Sequence, residues 1–170
     1  MKLILCITAL ISSLFMGGDK YEYVGPNKDY SMMIYKNTKV NTVTKDEGGY
    51  QDFIFGYEGS DTVTPAYLIS VVKVPGVGFE EKELYDTSFA NGFLSNCSCT
   101  IANTAPMEYK NVHGLRIEMK IDKGAGVWVG YSINILKGNN LYSVDLLCAD
   151  KDFDKYKPEF SDVMNSLKLN

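Results

Sequence analysis

Histidine and arginine are almost missing from this chain of 170 residues: His113 is the sole histidine and Arg116 the sole arginine, beside sixteen lysines. With one histidine no His-Glu-x-x-His metal helix can form, and a Ser-His-Asp or Cys-His pair would have to pass through His113. No Gly-x-Ser-x-Gly elbow occurs either. Val112 and Gly114 place His113 at the start of a strand beside a turn, where a histidine without catalytic duty is the simpler reading. The basic residues form no cluster, so the stripe that neutralises nucleic-acid phosphates is absent. An acidic chain with a single Arg is also poorly suited to anionic lipid. Nucleic acid and membrane surface are thereby set aside as partners. Internal repeats and low-complexity tracts are lacking too.

Only one long apolar run is present, Leu3 to Met16 behind Met1-Lys2. It is too short to span a bilayer, which takes roughly 20 apolar residues for about 30 Å. A lone Lys, the apolar run and Gly17-Gly18 read as a secretory signal segment over residues 1–18, although no small residue stands three positions before the cut. Leu5 before Cys6 is too bulky for a lipobox. The expected location is secreted or periplasmic, with no integral span in the mature form. Without that segment, sixteen basic face 21 acidic residues. The remaining length makes one domain, able to bury roughly 70% of its unfolded surface.

Strand signals dominate that domain. Leu115 to Asp122 alternates apolar and charged residues without a fault, turning Leu115, Ile117, Met119 and Ile121 to a core. Val127 to Leu136 puts Val127, Val129, Tyr131, Ile133 and Ile135 on one face, and Leu141 to Cys148 does the same with Tyr142, Val144, Leu146 and Cys148. Gly124-Ala125-Gly126 and Gly138-Asn139-Asn140 separate these runs as hairpin turns. With Thr100 to Tyr109 as first strand, residues 99–148 read as a four-stranded antiparallel meander. Three further strands are expected at Tyr30 to Tyr35, Gln51 to Tyr57 and Ala66 to Val74. Lys36 to Tyr50 reads mostly as loop, and residues 19–29 as a tether before a single domain over 30–170.

Two helices complete the pattern. Phe79 to Leu94 opens with Glu80, Glu81 and Glu83, acids that suit a helix N-terminus, and carries Tyr85, Phe89 and Phe93 as its core stripe. Tyr156, Phe160, Val163 and Leu167 trace the face of a C-terminal helix, with Pro158 expected in its first turn. The fold class is α+β: an antiparallel sheet of about six strands covered by two main helices.

This order, carried by Tyr67-Leu68-Ile69-Ser70-Val71-Val72-Lys73-Val74, Val112-His113-Gly114-Leu115, Asn140-Leu141-Tyr142 and Met164-Asn165-Ser166-Leu167, resembles the PsbP-like family. That family is typified by an extrinsic photosystem II subunit and includes many exported bacterial proteins. The resemblance spans roughly residues 30–169. It implies a binding or assembly module rather than an enzyme, and transfers no site residue.

Residues with chemistry of their own are few. Cys97, Cys99 and Cys148 follow the signal segment, and one bridge from Cys97 or Cys99 to Cys148 is expected in an oxidising compartment. A regular meander opposes this pairing, since it sets Cys99 and Cys148 three strand spacings of about 4.8 Å apart, while a disulfide needs Cα atoms within about 7 Å. The same thiolates with His113 could ligate zinc, or copper(I) alone, but the spacing matches no zinc pattern; no metal or cofactor is expected. Asn96-Cys97-Ser98 formally matches a glycosylation acceptor. Asp150, Asp152 and Asp154 resemble the start of a calcium loop, yet Lys155 and Ser161 occupy its sixth and twelfth places, and helix capping explains these acids better.

Two residues in the strands stand out. Asp145 lies mid-strand opposite the apolar face: solvated if that face is open, a perturbed carboxylate if a helix covers it. Trp128 shares a face with Ser132 and Asn134, which would form a polar-aromatic binding surface if exposed. The expectation is an exported module binding another exported or envelope protein. Its rivals are a secreted hydrolase with paired carboxylates around Asp145, and a thiolate metal carrier through Cys97, Cys99 and Cys148.

Overall fold

The computed structural model describes residues 19–59, 63–95, 99–109, 112–122, 124 and 126–170. The strands are β1 (Lys20–Val24), β2 (Tyr30–Tyr35), β3 (Thr38–Thr44), β4 (Tyr50–Gly56), β5 (Tyr67–Val74), β6 (Cys99–Tyr109), β7 (Val112–Asp122), β8 (Val127–Lys137), β9 (Asn140–Ala149) and β10 (Lys168–Leu169). Seven of them form one antiparallel sheet in the order β3-β4-β5-β9-β8-β7-β6, and β1-β2-β10 form a second, three-stranded one. The meander read from residues 99–148 is present as β6 to β9. Its last strand turns back to pair with β5, which joins the two halves of the large sheet. The β8–β9 turn has two residues between Lys137 and Asn140, and Gly138 takes φ +58° there, a conformation favouring glycine.

Three expectations change. The expected single sheet of about six strands is two sheets: Tyr30–Tyr35 belongs to the small one, and the large one has seven strands because Thr38–Thr44, inside the segment read as loop, pairs along its whole length with β4. Its side chains are mostly exposed, so it lacks the apolar alternation that marks a half-buried strand. Residues 19–29, read as a tether, contain β1, held to β2 in register from Lys20–Tyr35 to Val24–Ser31. The helix read from Phe79 to Leu94 is two pieces: a 3-10 turn (Glu81–Tyr85) and α1 (Thr87–Ser95), separated by Asp86 in extended conformation. The backbone N–H of Glu80 donates to the Glu83 carboxylate, so these acids do start the first piece. A 3-10 turn has 3.0 residues per turn rather than 3.6. With the extended residue after it, the phase resets, and Leu84 rather than Tyr85 is buried.

The second helix, α2 (Phe153–Ser166), buries Tyr156, Phe160, Val163 and, just beyond its end, Leu167, as the spacing predicts. Pro158 is its sixth residue, past the first turn where it was expected. The donor it lacks would have reached the Asp154 carbonyl, and both residues are exposed to water. No side chain caps α2, so Asp150, Asp152 and Asp154 do not serve in that role. Among the described residues no helix is long and apolar enough to cross a membrane.

The two faces of the large sheet have different covers. On one, α2 and the small sheet lie side by side over Tyr50, Ile54, Ile69, Val71, Val144 and Leu146, with Tyr30, Met32 and Ile34 from β2 closing the core. On the other, Leu84, Phe79 and Phe89 pack on Leu115, Ile117, Leu136 and Leu141. Directly paired residues share a face, and Ile117 is paired with Ser132, which is paired with Asp145. The apolar set of β7 therefore faces away from those of β8 and β9.

Candidate functional site

Asp145 sits at the middle of the central strand, opposite Ser70 of β5 on one side and Ser132 of β8 on the other. The row continues outward to Phe53 of β4 and Ile117 of β7. Ser132 and Asn134 are fully buried and Ser70 nearly so. The Ser143 hydroxyl donates to Asn134 Oδ1 at 2.7 Å, the Asn134 amide donates to Ser132 Oγ at 3.2 Å, and Ser132 in turn bonds the Asp145 carboxylate. Donors thus run along one direction and end on the acid. From β4, the Gln51 amide donates to Ser70 Oγ at 3.2 Å.

Burial is the larger influence on Asp145 and raises its pKa to about 6; the Ser132 hydroxyl, which favours the charged form, pulls the other way. Its Oδ1 is buried without a hydrogen-bond partner. As a residue Asp145 is half-buried, with its Oδ1 shielded from water while the face around it stays partly open. Hydrolysis by paired carboxylates needs a second acid beside the first. The register places serines on both sides instead.

Trp128 is half-buried on the same face of β8, four residues from Ser132 and thus about 13 Å along the strand. Because Ser132 and Asn134 are buried, the open surface expected of these three is not presented. Cys148 is a free, buried thiol whose pKa is pushed up to about 12 by burial, with Asp152 and Asp150 adding to the shift. The bridge to Cys148 is therefore not made. Cys99 is paired with Ile121, that with Trp128, and that with Ala149, so two strands stand between Cys99 and the end of β9. This spacing also prevents Cys99 and Cys148 from sharing one metal ion. Among the described residues no group of three His, Cys, Asp or Glu side chains is placed to hold a metal. Cys97, residues 1–18 and the side chains of His113 and Phe93 lie outside the described residues.

Asp52 is a buried acid that the sequence reading passed over. It occupies the core parity of β4, between Tyr50 and Ile54, and accepts hydrogen bonds from the hydroxyls of Tyr30, Tyr23 and Thr42. It ties the small sheet to the large one. An acid at an apolar-parity position in the run Tyr50-x-Asp52-x-Ile54 was the signal available.

Around the Asp145 row the same sheet face stays partly open. Phe53 and Phe55, stacked with ring centroids 6.3 Å apart, are half-buried together with Leu68, Val72 and Leu147, and Val43 on the edge strand is 44% exposed. The 3-10 turn and α1 pack toward β6 and β7, and among the described residues no element lies over this half as a second layer.

No protein-family model matches the chain, and no curated protein matches it in sequence. Among solved structures, cyanobacterial PsbP from Synechocystis sp. PCC 6803 superposes with a TM-score of 0.67 at 13% identity, over 92% of this chain and 96% of that one. LpqN, involved in cell envelope biogenesis of Mycobacterium tuberculosis, gives 0.62 at 9% identity over 89% and 91%. The Saccharomyces cerevisiae Ran-binding protein Mog1p gives 0.58 at 8% identity over 90% and 96%. At such identities the likeness is one of fold, and the fold of this chain is PsbP-like.

Proposed function

We propose that this chain is an exported binding or assembly module that docks on another exported or envelope protein without transforming it. One observation carries the reading: the half-open sheet face around Phe53, Phe55, Leu68, Val72 and Leu147. Apolar sheet faces require a partner layer, and aromatic residues beside buried polar groups suit a protein interface. The apolar run of residues 1–18 supports export. Two fold neighbours lend analogy, one named for binding Ran and one for envelope biogenesis.

A photo-crosslinking amino acid at Phe53, at Phe55 and, as control, at exposed Lys151 tests this in the native host. The expected outcome is one extracytoplasmic protein captured from positions 53 and 55 but not from 151. Equal capture at all three positions, or none, overturns the reading.

A further inference from the structure

Coverage by α2 stops short of β6 and β7. Seven strands span roughly 29 Å at about 4.8 Å per spacing, whereas one helix is about 10 Å wide. Between the helix and the uncovered strands lies a groove of about 320 Å³, near the lower end of the roughly 300–1,000 Å³ of small-molecule sites. Its floor is apolar: Met107, Ile133, Leu146, Phe160 and Met164. Its charges are both positive, Arg116 from the sheet and exposed Lys157 from the helix, and no carboxylate is among the described lining residues.

Arg116, the sole arginine of an acidic chain, is held in place from two sides. One guanidinium nitrogen pairs with Glu118 at 3.2 Å, and the group lies 5.5 Å from the centre of the Tyr131 ring. Its Nε is nevertheless buried with no acceptor. A buried donor left unpaired is unfavourable, and an incoming anion would relieve it. We propose that this groove binds an amphiphilic anion. An unbranched acyl chain would lie on the methionine and phenylalanine floor, with its carboxylate or phosphate head between Arg116 and Lys157. The site is on the sheet face opposite the protein-docking surface and stands independently of it.

Methionine methyl groups offer the readout. Decanoate, decyl phosphate and decanol are titrated separately into the purified chain labelled with ¹³C-methyl methionine. Met107 and Met164 line the groove, while Met33 and Met119 lie outside it. Saturable shifts of Met107 and Met164 are expected with the anions, Met33 and Met119 staying still, and decanol should bind at least about tenfold more weakly. The tighter anion identifies the headgroup. Arg116→Gln and Lys157→Gln should each weaken decanoate about tenfold, and exposed Lys157 can be changed without disturbing the fold. Equal binding of decanol, unaltered affinity in Lys157→Gln, or shifts at all four methyls together would overturn the assignment.

Discussion

Burial makes the charge on Asp145 expensive. The folded pKa of about 6 stands above the ordinary 3.8, so the protonated acid is favoured in the folded state. The sign follows: the native state is relatively most stable below pH 4, and that advantage is lost as pH rises through 6. The difference corresponds to about 3 kcal/mol as an upper value. Asp145→Asn keeps the acceptor for Ser132 and carries no charge. It should stabilise the chain at pH 7 by up to about 3 kcal/mol in urea unfolding, with the gain fading between pH 6 and pH 4. A gain that does not depend on pH, or none at all, would mean that the carboxyl is solvated. Strand parity placed Asp145 opposite the apolar face; whether that face was wet depended on residues far away in sequence.

Elements differ in how much they declare of themselves. The α2 stripe was legible because Tyr156, Phe160, Val163 and Leu167 follow the helical period, and all four are buried. The segment before α1 was read on the same period and came out one residue off. Leu84 is fully buried while Tyr85 is 40% exposed, because a 3-10 turn and an extended Asp86 replace a continuous helix. Leu84→Ala should therefore destabilise by about 2–5 kcal/mol, and Tyr85→Ala by about 0.5 kcal/mol or less, measured as denaturant midpoints at constant slope. The reverse order would restore the continuous helix. β3 stayed hidden for another reason: edge strands draw their order from backbone pairing, which leaves little trace in side-chain polarity.

At the scale of the whole molecule, strand order decides what the cysteines can do. Cys148 faces the core under α2, remote from β6, and its thiol is held well away from ionisation. A thiol reagent at pH 8 should leave Cys148 unmodified in the folded chain and modify it on unfolding in guanidinium, as followed by peptide mass mapping. Modification of the native chain at the rate of an exposed thiol would place β9 elsewhere. The same order explains the candidate site. Ser70 lies in one run and Ser132 with Asn134 in another, and both runs flank Asp145 only because β9 inserts between β5 and β8.

Local chemistry in the sequence determined the strands of the meander, their turns, the C-terminal helix and the PsbP-like order, since period and turn residues act within a few neighbours. Alternation also fixed which residues of each strand share a side. It could not say which side of the sheet that would be, because each strand can present either face to a given layer. Tertiary structure decided that β7 turns its apolar set to Leu84 while β8 and β9 turn theirs to α2. That choice shields the Asp145 Oδ1, leaves Phe53 and Phe55 half-open, and sets the charges of β7 beside an apolar groove. Each follows from apolar area seeking cover on both faces of one sheet, a balance struck only across the assembled layers.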